Sequence, residues 1–153
     1  MSKLTHGAVG VAFVATLTLL SCPALAGEGD EIVVVVNARN PSTKITRTQL
    51  RSIYMGQTAF WHGVVPMKVV MRPVTSDASS VFLDDVLNVT ATRYRQNWDA
   101  KQLSGQGIAP KEVGSPDAVA SMVRSNPGAI GFLLASEAWE TPPDGVRLLQ
   151  IEE

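Results

Sequence analysis

The sequence contains very little cysteine and histidine. Its one cysteine, Cys22, lies near the N-terminus, and the 153 residues include only two histidines, His6 and His62. Without cysteine in the rest of the chain, the fold depends on an apolar core rather than on disulfides. Because His62 has no Asp or Glu at metal-ligand spacing, we predict no metal site, no cofactor and no catalytic nucleophile with its base. The chain is therefore not expected to be an enzyme.

The chain also lacks an excess of positive charge. Lys and Arg number 13 against 14 Asp and Glu, and there is no basic run. Nucleic-acid-binding proteins carry a basic patch or stripe, so we expect no nucleic-acid partner. Hydrophobic residues make up 45% and charged residues 18%, which is typical of a packed globular domain and argues against disorder.

Only one long apolar run is present, from Ala8 to Leu20, and the small residues of Ala24 to Ala26 follow it. The run is short for a membrane span and has the layout of a secretory signal peptide. We predict a signal peptide over 1–26 and a mature domain over 27–153 that is periplasmic or secreted, with no membrane span. The letters LLSC, which end at Cys22, also fit a bacterial lipoprotein signal, so a lipid anchor on Cys22 stays open.

Apolar, β-branched runs predict strands, and segments with helical spacing of apolar residues lie between them. The predicted strands are Ile32–Val36, Val64–Met71, Ala129–Leu134 and Val146–Ile151. Continuous apolar runs are typical of strands covered on both faces, and alternating strands and helices favour parallel pairing. We predict one α/β domain with a mostly parallel sheet flanked by helices, in which 32–36 is central and 129–134 is buried.

Helix starts are marked by hydroxyl residues at capping positions. Thr46 with Gln49 has capping-box spacing and predicts a helix over about 46–55. Thr90 predicts the start of another helix, and Ser115 followed by Pro116 predicts a third.

Aromatic residues are scarce, at 6% of the chain. We assign Tyr94 and Trp98 to the core because they share one helix face, and we expect Phe60 and Trp61 to fill an edge of the core. The adjacent Asp84 and Asp85 point in different directions on a helix, so we interpret them as solvent-exposed rather than as a cation site.

Four segments, taken in order, carry a family resemblance. They are IVVVVNARNPSTKITRTQLRSIYMG, FWHGVVPMKVVMRP, the serine-rich stretch RPVTSDASSVF that leads to Phe82, and VRSNPGAIGFL. Over about residues 31–134 the chain resembles the PBP-like domain of phosphate-binding proteins of ABC transporters. The resemblance implies a type 2 periplasmic-binding-protein fold, in which the solute lies between two lobes. The mature length corresponds to about one lobe, so a single-lobe form is implied.

The resemblance also implies a site. In two-lobed phosphate receptors the matching lobe supplies an arginine and, four residues later, Ser-Gly-Thr at a helix start. Arg72 and Ser76 have this spacing, whereas Asp77 and Ala78 replace the glycine and threonine. An aspartate there adds a negative charge that repels an anion, and nearby hydroxyls could compensate in part. The implied anion-binding residues are Arg72, Thr75, Ser76, Ser79 and Ser80, with phosphate or another small oxyanion as ligand.

A structural interpretation of the same residues stays open. In it, Ser76 caps the helix, Asp77 complements the helix dipole, and Arg72 pairs with Asp77 or a neighbouring carboxylate. Asn37 and Asn40 lie where open α/β sheets place ligands, but turn formation is the simpler role for them.

Two functions remain in competition. The first is an exported solute-binding domain linked to ABC transport, whose candidate partners are the transporter's membrane components or a second copy. The second is an accessory or interaction scaffold that has lost solute binding.

Overall fold

The computed structural model of the chain describes residues 30–153. The predicted signal peptide and Cys22 lie outside the described residues. The strands are β1 (Ile32–Asn37), β2 (Lys44–Thr46), β3 (Phe60–Trp61), β4 (Val65–Pro66), β5 (Lys68–Met71), β6 (Lys111–Glu112), β7 (Ala129–Leu134) and β8 (Val146–Glu152). The α-helices are α1 (Arg47–Tyr54), α2 (Asp77–Val81), α3 (Ala91–Leu103) and α4 (Pro116–Ser125). A π-helical turn, Phe82–Val86, continues α2, and a 3-10 turn, Ala135–Glu137, follows β7. No helix in this part of the chain is long and apolar enough to cross a bilayer.

Six strands form one mixed sheet in the order β2-β8-β1-β7-β5-β6. Strand β1 is antiparallel to both neighbours, β7 and β8, whereas β5 is parallel to β6 and β7, and β2 is parallel to β8. Within this sheet, all strands except β1 therefore point the same way, and the predicted mostly parallel sheet is confirmed. The antiparallel direction of β1 was not predicted, because a continuous apolar run indicates burial on both faces but not strand direction.

The middle of the sheet matches the expectation from sequence. Strands β1 and β7 occupy the two central positions, and every residue of β7 is buried. On one face, α1, α2 and the π-helical turn cover an aromatic cluster. In this cluster the ring of Phe82 stacks on Phe132, with centroids 3.9 Å apart, and Tyr54 meets Phe82 edge-on at 4.6 Å. Such contacts stabilise a core beyond the area that they bury.

The other face of the sheet is covered by α4. Val119 and Val123 pack there against Val35, Val70 and Leu133. Successive side chains of β1 point to opposite faces of the sheet, so Val34 and Val36 pack in the opposite core and Val35 packs in this one. Burial of the apolar side chains of these two cores stabilises the fold of residues 30–153.

The predicted strand 64–71 is wrong in its extent. Val65–Pro66 pairs with Phe60–Trp61 in a separate hairpin, and only Lys68–Met71 joins the sheet. Strand alternation within the hairpin buries Trp61 and leaves Phe60 about half exposed, at 48%. Only Trp61 therefore fills the core edge, and its indole Nε1 donates to the carbonyl of Gly128 at 3.1 Å.

The predicted helix starts are confirmed. Thr46 and Gln49 form a reciprocal capping box at α1, Thr90 caps α3, and Ser115 caps α4 with Pro116 in the first turn. These caps satisfy backbone N–H groups that a helix start leaves unpaired. Each cap therefore fixes the residue at which its helix begins.

Candidate anion-binding site

Three parallel strands, β5, β6 and β7, end at the same edge of the sheet. Arg72 follows β5, Gly114 lies two residues after β6, and the 3-10 turn that ends at Glu137 follows β7. In open α/β sheets the carboxyl ends of parallel strands are the usual position of ligands. The topology therefore brings residues from three distant parts of the chain to one candidate site.

Arg72 is the charged centre of this edge. Its side chain is buried, with the residue only 6% exposed. Nη1 lies 2.7 Å from Oε2 of Glu137, and Nη2 lies 3.1 Å from Oε1, so the ion pair is bidentate. Nη2 also makes a long contact of 3.5 Å with the carbonyl of Gly114, and Nε has no hydrogen-bond partner within residues 30–153. The guanidinium is therefore desolvated and only partly satisfied by the described residues.

Glu137 was not predicted by the sequence reasoning, which considered Asp77 or a carboxylate near Arg72. Its side chain is 25% exposed, and Oε2 also accepts the backbone N–H of Leu134 at 3.2 Å. That bond ties the carboxylate to the turn after β7 and aims it at Arg72. Asp77, by contrast, is exposed at the first position of α2 and forms no ion pair in the described structure.

Two of the four predicted hydroxyls contact the Arg72–α2 segment directly. Ser76 is the N-cap of α2, and its Oγ accepts the backbone N–H of Ser79 at 3.3 Å. Oγ of Ser79 is fully buried and donates to the carbonyl of Arg72 at 2.9 Å. The hydroxyl of Ser76 can still donate its hydrogen, whereas that of Ser79 is used inside the fold.

The other two predicted hydroxyl residues, Thr75 and Ser80, are exposed. Neither side chain makes a hydrogen bond to Arg72 or to the cap of α2 in the described structure. Hydrogen bonds therefore connect Ser76 to Ser79 and Ser79 to the backbone carbonyl of Arg72, and the neighbouring Thr75 and Ser80 are exposed.

Asn37, the last residue of β1, and Asn40, which follows the strand, have structural roles. Nδ2 of Asn37 donates to the carbonyls of Val123 and Arg124, at 2.9 and 3.0 Å, and so joins β1 to the end of α4. Oδ1 of Asn40 accepts the N–H of Ser42 at 2.9 Å, which is a turn contact. Oδ1 of Asn37 likewise accepts the N–H of Arg39 at 2.9 Å, so the turn-forming role predicted for both asparagines is confirmed.

The remaining candidate side chains form no hydrogen bond or ion pair with Arg72 or Glu137 in the described structure. Tyr94 and Trp98 are buried in the core, as predicted, and Asp84 and Asp85 are exposed. Nε2 of His62 lies 3.2 Å from Oγ of Ser42 on the exposed surface of the hairpin. Residues 30–153 contain no cluster of three or more His, Cys, Asp or Glu that could hold a metal.

The fold of residues 30–153 is shared with known proteins. The chain matches the PBP superfamily domain over residues 29–147. It belongs to that superfamily. No sequence among the curated proteins matches it.

Several solved structures share this fold, and two of the three described below are named for phosphate transport. An ABC-type phosphate transport receptor from Vibrio cholerae is 26% identical, with a TM-score of 0.52 over 80% of this chain and 46% of that one. A putative phosphate ABC transporter substrate-binding protein with bound phosphate from Clostridium perfringens is 21% identical, with a TM-score of 0.61 over 80% and 45% of the chains. PstS from Borrelia burgdorferi is 20% identical, with a TM-score of 0.63 over 80% and 47%. The chain thus spans less than half the length of these proteins.

Proposed function

We propose that this domain binds a small oxyanion, with phosphate as the first candidate, at the end of strand β5. The observation that carries the proposal is the position of Arg72, a buried guanidinium at the carboxyl edge of parallel strands whose Nε has no partner in the described structure. Arginine binds oxyanions through parallel, charge-assisted hydrogen bonds. The phosphate receptors with the same fold support this choice of ligand.

In this proposal the hydroxyls assist Arg72. Ser76, at the cap of α2, supplies a free O–H donor, and the exposed Thr75 and Ser80 supply donors at the surface. Ser79 acts indirectly, because its hydroxyl holds the carbonyl of Arg72 and so positions the backbone from which the guanidinium extends. The domain has no catalytic role; it serves a transport system of the ABC type, together with that system's membrane components or a second copy of the chain.

We also propose that the domain is exported from the cytoplasm. This proposal rests on the signal-peptide pattern of 1–26, which would release a mature chain that begins at Gly27. Mass spectrometry of the exported protein tests this cleavage directly. A diacylglyceryl group on Cys22 would instead identify a lipoprotein anchored to a membrane.

Titration calorimetry with inorganic phosphate and with sulfate tests the binding function. Heat of binding is expected from the parent protein and should be largely lost in Arg72→Ala, because a hydrogen bond to a charged group contributes about 1.5–3 kcal/mol. Arg95→Ala is the matched control, since Arg95 is exposed on α3, outside the segments that form the candidate site, and carries the same charge. Absence of heat with the parent at millimolar phosphate and sulfate would reject oxyanion binding by the parent protein.

The alternative function is an interaction scaffold, and two observations favour it. The bidentate contact with Glu137 already satisfies the charge of Arg72. The surface also exposes large apolar side chains, with Val64 78%, Leu103 90% and Ile108 89% exposed. Sedimentation of the protein alone and with transporter components tests this function, because a scaffold would form complexes whether or not phosphate is present.

A further inference from the structure

The guanidinium of Arg72 has two edges that can each hold an oxyanion through two hydrogen bonds. Glu137 occupies the end edge, formed by Nη1 and Nη2, at 2.7 and 3.1 Å. The side edge is formed by Nε and Nη2. Within the described residues Nε has no partner, and apart from its bond to Glu137, Nη2 makes only the long 3.5 Å contact with the carbonyl of Gly114. One edge is therefore filled by a carboxylate, and the other is largely unused.

The carboxylate of Glu137 is chemically an oxyanion in its own right. It presents two oxygens to the donors that a phosphate would use, and the Leu134 N–H holds it in place at 3.2 Å. Arg72 is buried, so bulk water screens the pair weakly and the two opposite charges largely cancel. A second anion that approaches Arg72 meets a neutral pair rather than a free cation.

We infer that Glu137 is an internal counter-ion that sets the anion affinity of Arg72. The inference rests on the proposed oxyanion function and adds its regulation. In the empty protein the contact is autoinhibitory, because an incoming phosphate either displaces the carboxylate from the end edge or binds at the side edge against its repulsion. Both routes reduce affinity, so loss of the Glu137 charge with retention of its size increases affinity.

The direct test compares Glu137→Gln with Glu140→Gln. Glu140 lies three residues further along, is exposed and forms no ion pair in the described structure, so its substitution changes net charge equally. Calorimetry with inorganic phosphate at constant ionic strength is expected to give roughly tenfold or greater tightening for Glu137→Gln, since a like charge within a few ångströms is removed. The affinity of Glu140→Gln should stay within about twofold of the parent.

The outcomes separate this inference from the proposed function. If the parent binds phosphate and Glu137→Gln binds it no more tightly, the inference is wrong and oxyanion binding stands. If only Glu137→Gln binds, the inference is supported, and the parent is an inhibited form. If neither protein binds at millimolar phosphate, both are rejected. The gain must also disappear in the double variant Arg72→Ala/Glu137→Gln, and its persistence there would contradict the role of Arg72.

Thermal unfolding provides a second test in case Glu137→Gln impairs folding. Glu137→Gln leaves a buried guanidinium without its carboxylate, so the variant should melt at a lower temperature than the parent. Phosphate should raise that melting temperature more than it raises the parent's, and chloride at the same ionic strength should not. An equal effect of phosphate on both proteins would overturn the inference. Should Glu137→Gln not fold, Glu137→Asp, which keeps the charge at shorter reach, should show a smaller gain in affinity, and no gain would overturn it.

Discussion

Val119 of α4 packs directly against the bare Cα of Gly131 in β7. A Cβ atom on Gly131 would lie 2.7 Å from Cγ1 of Val119, which is closer than real Cβ contacts allow. Helix α4 can therefore approach the central strands this closely because position 131 is glycine. Val119 belongs to the apolar core between α4 and the sheet, and strand β5 of that sheet ends next to Arg72.

The first prediction follows from this contact. Gly131→Ala is expected to lower the free energy of unfolding by about 1–3 kcal/mol, because an overpacked core forces side chains or backbone to move. Urea denaturation measures the loss. Gly114→Ala is the matched control, since nothing lies within 4 Å of a Cβ placed there. Val119→Ala in the Gly131→Ala background should recover part of the stability, and an equal effect of the two glycine substitutions would contradict the packing argument.

The second prediction concerns the cap of α4. Oγ of Ser115 accepts the N–H of Ala118 at 3.2 Å, so Ser115→Ala is expected to cost about 1 kcal/mol of unfolding free energy. Ser121→Ala on the exposed side of the same helix is the control and should be neutral or slightly stabilising. Urea melts of the two variants distinguish them, and equal stability would show that the cap contributes nothing.

The third prediction is a loss of stability at high pH. Burial raises the pKa of Tyr54 well above its usual value, and burial also raises the pKa of Tyr94. In the unfolded chain tyrosine ionises near pH 10. Above that pH the unfolded state binds fewer protons than the folded state, so the free energy of unfolding falls as pH increases. Below pH 10 the two tyrosines should contribute no pH dependence.

Urea denaturation between about pH 8 and pH 11 measures this slope, and Tyr94→Phe should make it shallower. The substitution is well suited because Oη of Tyr94 is buried without a hydrogen-bond partner in the described structure, so little is lost at neutral pH. Tyr54→Phe should also flatten the slope, but at a cost near pH 7, because its Oη donates to the carbonyl of Val70 at 3.1 Å. An unchanged slope in both variants would exclude tyrosine ionisation as its cause.

Local signals in the sequence predicted the elements that depend on local physics. The apolar runs of β1 and β7 predicted central, buried strands, and the hydroxyls at Thr46, Thr90 and Ser115 predicted helix starts, because both effects act over a few residues. The break between β4 and β5 was missed, since Val65 and Val69 have the same strand preference whether they pair in a hairpin or in the sheet.

The candidate site was predicted only in part, because some of its contacts are local in sequence and others are not. The spacing of Arg72 and Ser76 is local and was visible, and the cap at Ser76 was found where it was expected. The partner of Arg72 lies 65 residues away, on the turn after β7, and only the pairing of β5 with β7 brings Glu137 to it. No local pattern distinguishes Glu137 from other glutamates of the chain, so its pairing with Arg72 could not be predicted without the strand order.

The last prediction concerns Asp77, the first residue of α2. Its exposed carboxylate follows the Ser76 cap and lies close in sequence to Arg72, so it should repel an anion bound there. Asp77→Asn and Asp77→Gly are both expected to tighten phosphate binding by roughly two- to tenfold, because both remove the charge. Calorimetry at low and high salt measures the effect, which should shrink as salt screens it.

The pair of variants separates charge from backbone access. If repulsion dominates, Asn and Gly give the same gain, whereas a larger gain for Gly means that the side chain itself blocks approach to the backbone N–H groups. Asp117→Asn is the control, because Asp117 also lies in the first turn of a helix that begins after a serine cap, two residues after Ser115. Each substitution should also cost about 0.3–1 kcal/mol of stability through the lost interaction with the helix dipole. A loss of stability in Asp77→Asn without any gain in phosphate affinity would mean that Asp77 serves only the helix, and that the oxyanion, if bound, contacts Arg72 away from α2.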